Sequence, residues 1–166
     1  LAMLLGQTLD SLRAASILKN LRTLPIRMQK HSQNALYLAQ KFESLGYKVT
    51  YPGLQSHPQH EMISNYLSKG IGYGGIFTVD FGHLDKANAI MEMMQHQNLG
   101  YLAVSLGFYK TLFSASGTST SSEISEKEQQ EMGLSSGLVR FSIGLDHDIK
   151  ETFIQMKKAI ELVERD

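Results

Sequence analysis

Leu138-Val139-Arg140-Phe141-Ser142-Ile143, framed by Gly137 and Gly144, is the stretch whose reading decides the fold class. Strand geometry puts Val139, Phe141 and Ile143 on one face and Leu138, Arg140 and Ser142 on the other. Residues 138–145 therefore read as a strand with one face against a core. The other face carries an arginine among apolar neighbours. An unpaired buried charge is very costly, and the guanidinium fork matches a carboxylate in bidentate fashion. Three settings satisfy Arg140: a substrate carboxylate, an internal Asp or Glu, or an exposed sheet edge.

Working outward, Asp148 caps a last helix whose buried face carries Ile149, Phe153, Met156, Ile160 and Val163. Upstream, residues 125–132 read as a short polar helix stopped at Gly133, and 114–125 as a Ser/Thr-rich loop. Short strands are expected at 101–104 and 111–114. Residues 84–95 form a helix with Ala87, Ile90, Met91 and Met94 on one side. Strands are expected at 76–81 and 47–51, with a short helix over 58–66 between them. The first stretch repeats Leu9, Leu12, Ala15, Leu18 and Leu21 at helical spacing, with Thr8 or Asp10 as cap. Pro25 kinks or ends that helix. The pattern resumes through Leu38, Ala39 and Phe42 and stops at Gly46. The order predicts an α+β layer, one sheet with helices on one face. Residues 1–45 form a long connecting helix kinked near Pro25, and 46–166 the α+β domain.

Composition narrows the function classes. The 166 residues hold 16 Lys plus Arg and 16 Asp plus Glu, so the balance lacks the basic excess of a nucleic-acid binder. There is no cysteine, which excludes disulfides, thiolate nucleophiles and zinc–thiolate sites. No apolar run is long enough to cross a bilayer, and no signal peptide opens the chain. A cytoplasmic protein is expected. Leu1 stands where a start residue would, so the chain reads as a piece of something longer.

Other candidate chemistry is weaker. His57 and His60 have a spacing that metal ligands use, but Pro58 separates them and no third ligand follows, so a polar turn is the better reading. Gly72-Tyr73-Gly74-Gly75 has the composition of a phosphate cradle, yet it precedes a strand where such a loop should follow one. The hydroxyls of 114–122 lack any nucleophile-elbow motif and are expected to bond their own loop. Met91, Met93 and Met94 read as core filler or an interface stripe.

A series of blocks in fixed order adds a resemblance. The blocks are Met3-Leu4-Leu5-Gly6, Leu21-Arg22-Thr23-Leu24-Pro25-Ile26-Arg27-Met28, and Tyr51-Pro52-Gly53-Leu54 with Ser56-His57-Pro58-Gln59-His60. Gly74-Gly75-Ile76, Ala103-Val104-Ser105-Leu106-Gly107 and Gly137 to Gly144 complete it. Over essentially the whole chain it resembles the C-terminal part of the Cys/Met-metabolism (trans-sulfuration) family of pyridoxal-phosphate enzymes. That family includes cystathionine lyases and synthases, homoserine sulfhydrylases and methionine gamma-lyases.

The resemblance implies the small C-terminal domain of the aspartate-aminotransferase-like fold, mainly an antiparallel sheet covered by helices and preceded by a long helix. It implies that Arg140 clamps a substrate α-carboxylate, helped by Ser105 and the backbone at Leu106. Cystathionine-handling members usually carry a glutamate where this chain has Val104, so the resemblance points to the methionine gamma-lyase branch. The run from Ser114 to Glu123 is similar to the plant-type members of that branch. The family cofactor, pyridoxal phosphate, is held by a lysine in a Ser/Thr-rich motif that this chain lacks. No catalytic, cofactor-binding or metal residue is therefore expected here, and the separate chain is expected to be inactive. The implied partners are an amino-acid substrate, a large domain and further copies in a tetramer of dimers, with no nucleic acid or membrane. A non-catalytic stand-alone binding module is the reading from another class.

Overall fold

Asp10 opens the first helix, α1 (Ser11–Leu21), by accepting the Arg13 N–H at 2.9 Å on Oδ1. In this computed structural model the described residues are 6, 8–115, 128 and 135–165. The second helix, α2 (Leu24–Ser44), is separated from α1 by two residues, Arg22 and Thr23, and has Pro25 in its first turn. Proline is tolerated there because a first-turn N–H has no helical acceptor. Gly46 follows α2 at φ +88°, a left-handed position that ends the helix.

The elements that follow are β1 (Lys48–Thr50), α3 (His60–Tyr66), β2 (Ile76–Asp80), α4 (Leu84–His96), β3 (Tyr101–Leu102), β4 (Leu112–Ala115), β5 (Leu138–Ser142) and α5 (Ile149–Val163). Their sheet runs β1-β2-β5-β4-β3. The pairs β1–β2, β2–β5 and β5–β4 are antiparallel, and β4–β3 is parallel. This is the α+β fold that the sequence predicts, mainly antiparallel. Strand β5 ends at Ser142, short of Leu145. Ile143 and Leu145 still donate their N–H groups, to Gly75 at 2.8 Å and Tyr109 at 2.7 Å, but outside the ladder. The 125–132 helix, and the 114–125 loop beyond Ala115, fall outside the described residues apart from Glu128.

Three helices cover one sheet face. Leu38 and Phe42 from α2, Ile90 and Met94 from α4, and Met156 and Ile160 from α5 meet Phe77, Val79, Phe113, Val139 and Phe141. Phe42 sits among four phenylalanine rings, those of Phe77, Phe81, Phe141 and Phe153, at 5.7 to 6.4 Å. The second half of α2 thus belongs to the core, whereas α1 buries no residue. Among the described residues no helix is long and apolar enough to cross a membrane.

Polar side chains of α2 fasten the loop after β5. His31 Nδ1 donates to the Ile143 carbonyl at 2.5 Å, since a carbonyl can only accept. Asn34 Nδ2 donates to the Gly144 and Asp146 carbonyls, both at 3.1 Å. This stitching fixes the exit of β5 and the approach to α5.

Candidate functional site

The central strand places Arg140 in the middle of the sheet face opposite α2, α4 and α5. Its register partners are Thr78 on β2 and Ser114 on β4, so a row Thr78–Arg140–Ser114 crosses three strands. Cross-strand partners share a face and bring their Cβ atoms to about 5 Å. The opposite row, Val79, Val139 and Ala115, belongs to the core. Alternation in β5 therefore assigns its faces correctly. Because β5 has a neighbour on each side, Arg140 does not stand at a sheet edge.

The segment 103–110 crosses beside this row. Ala103 N–H reaches the Phe113 carbonyl at 3.1 Å, and Gly107 N–H reaches Ser142 Oγ at 3.2 Å. The Thr111 hydroxyl donates to Asp146 Oδ2 at 3.2 Å and accepts the Gly144 N–H at 3.0 Å. These bonds tie both ends of the segment to β4 and to the exit of β5. Between them the Ser105 carbonyl accepts from Arg140 Nη2 at 3.2 Å. The structure thus brings Ser105 to Arg140 through its backbone. Val104 and Leu106, 62% and 59% exposed, flank that carbonyl.

The arginine is incompletely satisfied. Its Nε and the Ser114 Oγ are both buried with no hydrogen-bond partner among the described residues. Each such group costs about 1–3 kcal/mol. None of the ion pairs among the described residues involves Arg140. A positive fork beside hydroxyls, next to an exposed loop and without a carboxylate of its own, is suited to an incoming carboxylate.

The remaining candidates are held by local structure. His60 Nδ1 donates to the Pro52 carbonyl at 2.8 Å, and its ring stacks on Tyr73 with centroids 5.2 Å apart. His57 Nδ1 accepts the Gln59 N–H at 3.2 Å. Among the described residues no three His, Cys, Asp or Glu side chains are grouped to hold a metal. Gly72, at φ +80°, lies where a Cβ would overlap the Ser32 hydroxyl, so its glycine serves contact with α2. Met91 and Met94 are core residues, and Met93 packs at the core margin. Sequence reasoning missed Thr78 and the specific place of Ser114. Only the strand pairing reveals them, and no local pattern encodes which strands pair.

Comparison with known proteins gives a consistent result. The model of the family described as Cys/Met metabolism PLP-dependent enzyme matches residues 1–161. A methionine gamma-lyase of Arabidopsis thaliana is 40% identical over 95% of this chain and 36% of its own length. A cystathionine gamma-lyase of Bos taurus is 35% identical over 85% of this chain and 35% of its own. In three dimensions the chain is similar to a protein designated an O-acetylhomoserine (thiol)-lyase of Campylobacter jejuni, solved with N'-pyridoxyl-lysine-5'-monophosphate. The TM-score is 0.78 at 34% identity, over 87% of this chain and 34% of that one. The chain spans about a third of the length of the relatives it matches.

Proposed function

As a chain that belongs to the Cys/Met metabolism pyridoxal-phosphate-dependent enzymes, we propose that it is the C-terminal part of a carbon–sulfur lyase of methionine gamma-lyase type. The parent's reaction takes L-methionine and water to methanethiol, ammonia and 2-oxobutanoate. The observation that carries this chain's share is Arg140, central in the sheet, bonded to the Ser105 carbonyl and lacking an acidic partner among the described residues.

In this reading Arg140 takes the substrate α-carboxylate on its outer N–H groups. Ser105 holds the guanidinium, and the 104–106 segment lines the mouth of the site. Fixing the carboxylate restricts the substrate to the orientations in which its reacting bonds align, a positioning contribution to catalysis. Val104, apolar and exposed, favours an uncharged thioether side chain over the second amino-acid head of cystathionine.

These residues fit the substrate's carboxylate and not the cofactor. An amine that forms a covalent link is activated by desolvation or by a neighbouring cation. Among the described residues every lysine is at least partly exposed. Pyridoxal phosphate supplies the electron sink when bound, and in this reading the rest of the parent holds it. The chain by itself is then inactive. Its partners are that remainder and further copies, which supports a covering for the leucines of α1, such as Leu12 at 82% exposure.

The test is side-by-side turnover of methionine, cystathionine and O-acyl-homoserines by the intact parent. Dominant methionine cleavage supports the reading. Dominant cystathionine cleavage replaces it with the second one, a cystathionine lyase, which the 35% identity to the bovine enzyme favours.

A further inference from the structure

Tyr101 and Ala103 turn their N–H groups toward β4, to the Thr111 carbonyl at 3.0 Å and the Phe113 carbonyl at 3.1 Å. Leu102 lies between them, so its N–H points the opposite way. Because β3 is the last strand on its side of the sheet, that N–H has no strand to meet. Gln95 Oε1 takes it at 2.8 Å. The base of Gln95 is itself fixed. It lies in the last turn of α4, its carbonyl accepts the Asn98 N–H at 3.0 Å, and its neighbour Met94 is fully buried. A strand of two residues is thus held from both sides. Three residues after Leu102 comes Ser105, whose carbonyl holds Arg140 Nη2 at 3.2 Å.

Resting on the carboxylate reading above, we propose that Gln95 is a positioning residue for Arg140, acting through the backbone of residues 102–105. Held on the β4 side alone, so short a strand is free to turn about its ladder bonds. The bond from Gln95 removes that freedom and sets the Ser105 carbonyl where Nη2 meets it. The guanidinium then keeps the orientation in which it takes a carboxylate. Bidentate recognition depends on that orientation, because both N–H bonds must line up together. Gln95 bonds to Leu102 and not to Arg140, so its effect passes through the segment.

The experiment uses the intact parent with cofactor bound and measures binding, so it does not depend on turnover. The probes are L-norleucine, as long as methionine but with no thiol to expel, and L-norleucinamide, which lacks the carboxylate. Gln95→Met keeps the length of the side chain and removes the acceptor, and Gln95→Glu keeps the acceptor. Gln95 is exposed, so neither exchange disturbs the core. Gln95→Met is expected to weaken L-norleucine about threefold to tenfold, the range of one hydrogen bond, while L-norleucinamide stays within about twofold. Gln95→Glu should bind L-norleucine within about twofold of the original. Added to Arg140→Ala, Gln95→Met should bring no further loss, since it acts through that residue. Unchanged norleucine binding in Gln95→Met, equal weakening of both probes, or a Gln95→Glu as weak as Gln95→Met overturns the proposal. If Arg140→Ala also leaves norleucine unaffected, the carboxylate reading falls and takes this proposal with it. A loss in Arg140→Ala alone removes only Gln95.

Discussion

The Tyr47 hydroxyl donates to Glu164 Oε1 at 2.9 Å, joining the start of β1 to the residue after α5 across 117 positions of chain. The same oxygen takes Lys86 Nζ from α4 at 2.7 Å. Burial, and then the bond to Glu164 and its charge, push the Tyr47 hydroxyl well above its ordinary value of 10.0. The folded state therefore keeps Tyr47 neutral where the unfolded chain ionises it. Stability should fall as pH rises past 10.0. Denaturant midpoints from pH 8 to about 11 should show this fall. Tyr47→Phe should make it shallower, leaving the part that comes from Tyr51, whose hydroxyl burial also raises.

Glu164 has the opposite sign. Hydrogen bonds from Lys86 and Tyr47 hold its carboxyl below the usual 4.5 against the effect of burial. Its contribution is present at neutral pH and lost as pH falls below 4.5. The side chain is 40% exposed, so the effect is small, under about 1 kcal/mol. Glu164→Gln should remove the acid-side slope assigned to this pair. Raising salt should diminish the difference between the variant and the original.

Arg140→Lys keeps the charge and loses the fork. In the intact parent the Michaelis constant for methionine should rise about ten- to a hundredfold, the range for a lost charge-assisted hydrogen bond. Initial-rate kinetics read this directly. Near-normal values would take Arg140 out of the site.

Gly144 is a close-approach position. A Cβ there would stand 2.6 Å from Lys110 C, Thr111 N and Tyr109 O, all backbone atoms that cannot rotate away. Gly144→Ala should cost about 1–3 kcal/mol, seen as a lower melting temperature. It also displaces the root of the segment carrying Ser105, so the parent's Michaelis constant should rise as well.

Phe42→Ala should be the most damaging of these changes. Phe42 is fully buried among four other phenylalanines. Truncation at such a site costs about 3–5 kcal/mol, a large part of a domain's stability. Phe42→Leu should cost distinctly less. Chemical denaturation of both variants measures the difference.

The sequence made some features legible because their causes are local. Alternation along β5 separates Phe141 from Arg140, and the Asp148 cap with helical spacing defines α5. The buried residues Ala87, Ile90, Met91 and Met94 follow from one helical stripe. What stayed hidden depends on pairing between distant segments. Ser114 looks like one more hydroxyl in a polar run until β4 is laid beside β5. Likewise His31 and Asn34 look like polar residues of a surface helix. They are buried because the carbonyls that satisfy them come from residues 110 or more positions away.

The place of β5 also governs how the chain must be assembled. It is the last strand in sequence and the middle one in space, between β2 and β4. A nascent chain emerging from the ribosome has two separate strand pairs, β1–β2 and β3–β4, until residues 138–142 arrive. Each pair then offers an unprotected edge, the kind that another chain can join. The chain is thus most open to such pairing after β4 has left the ribosome and before residues 138–142 have followed it.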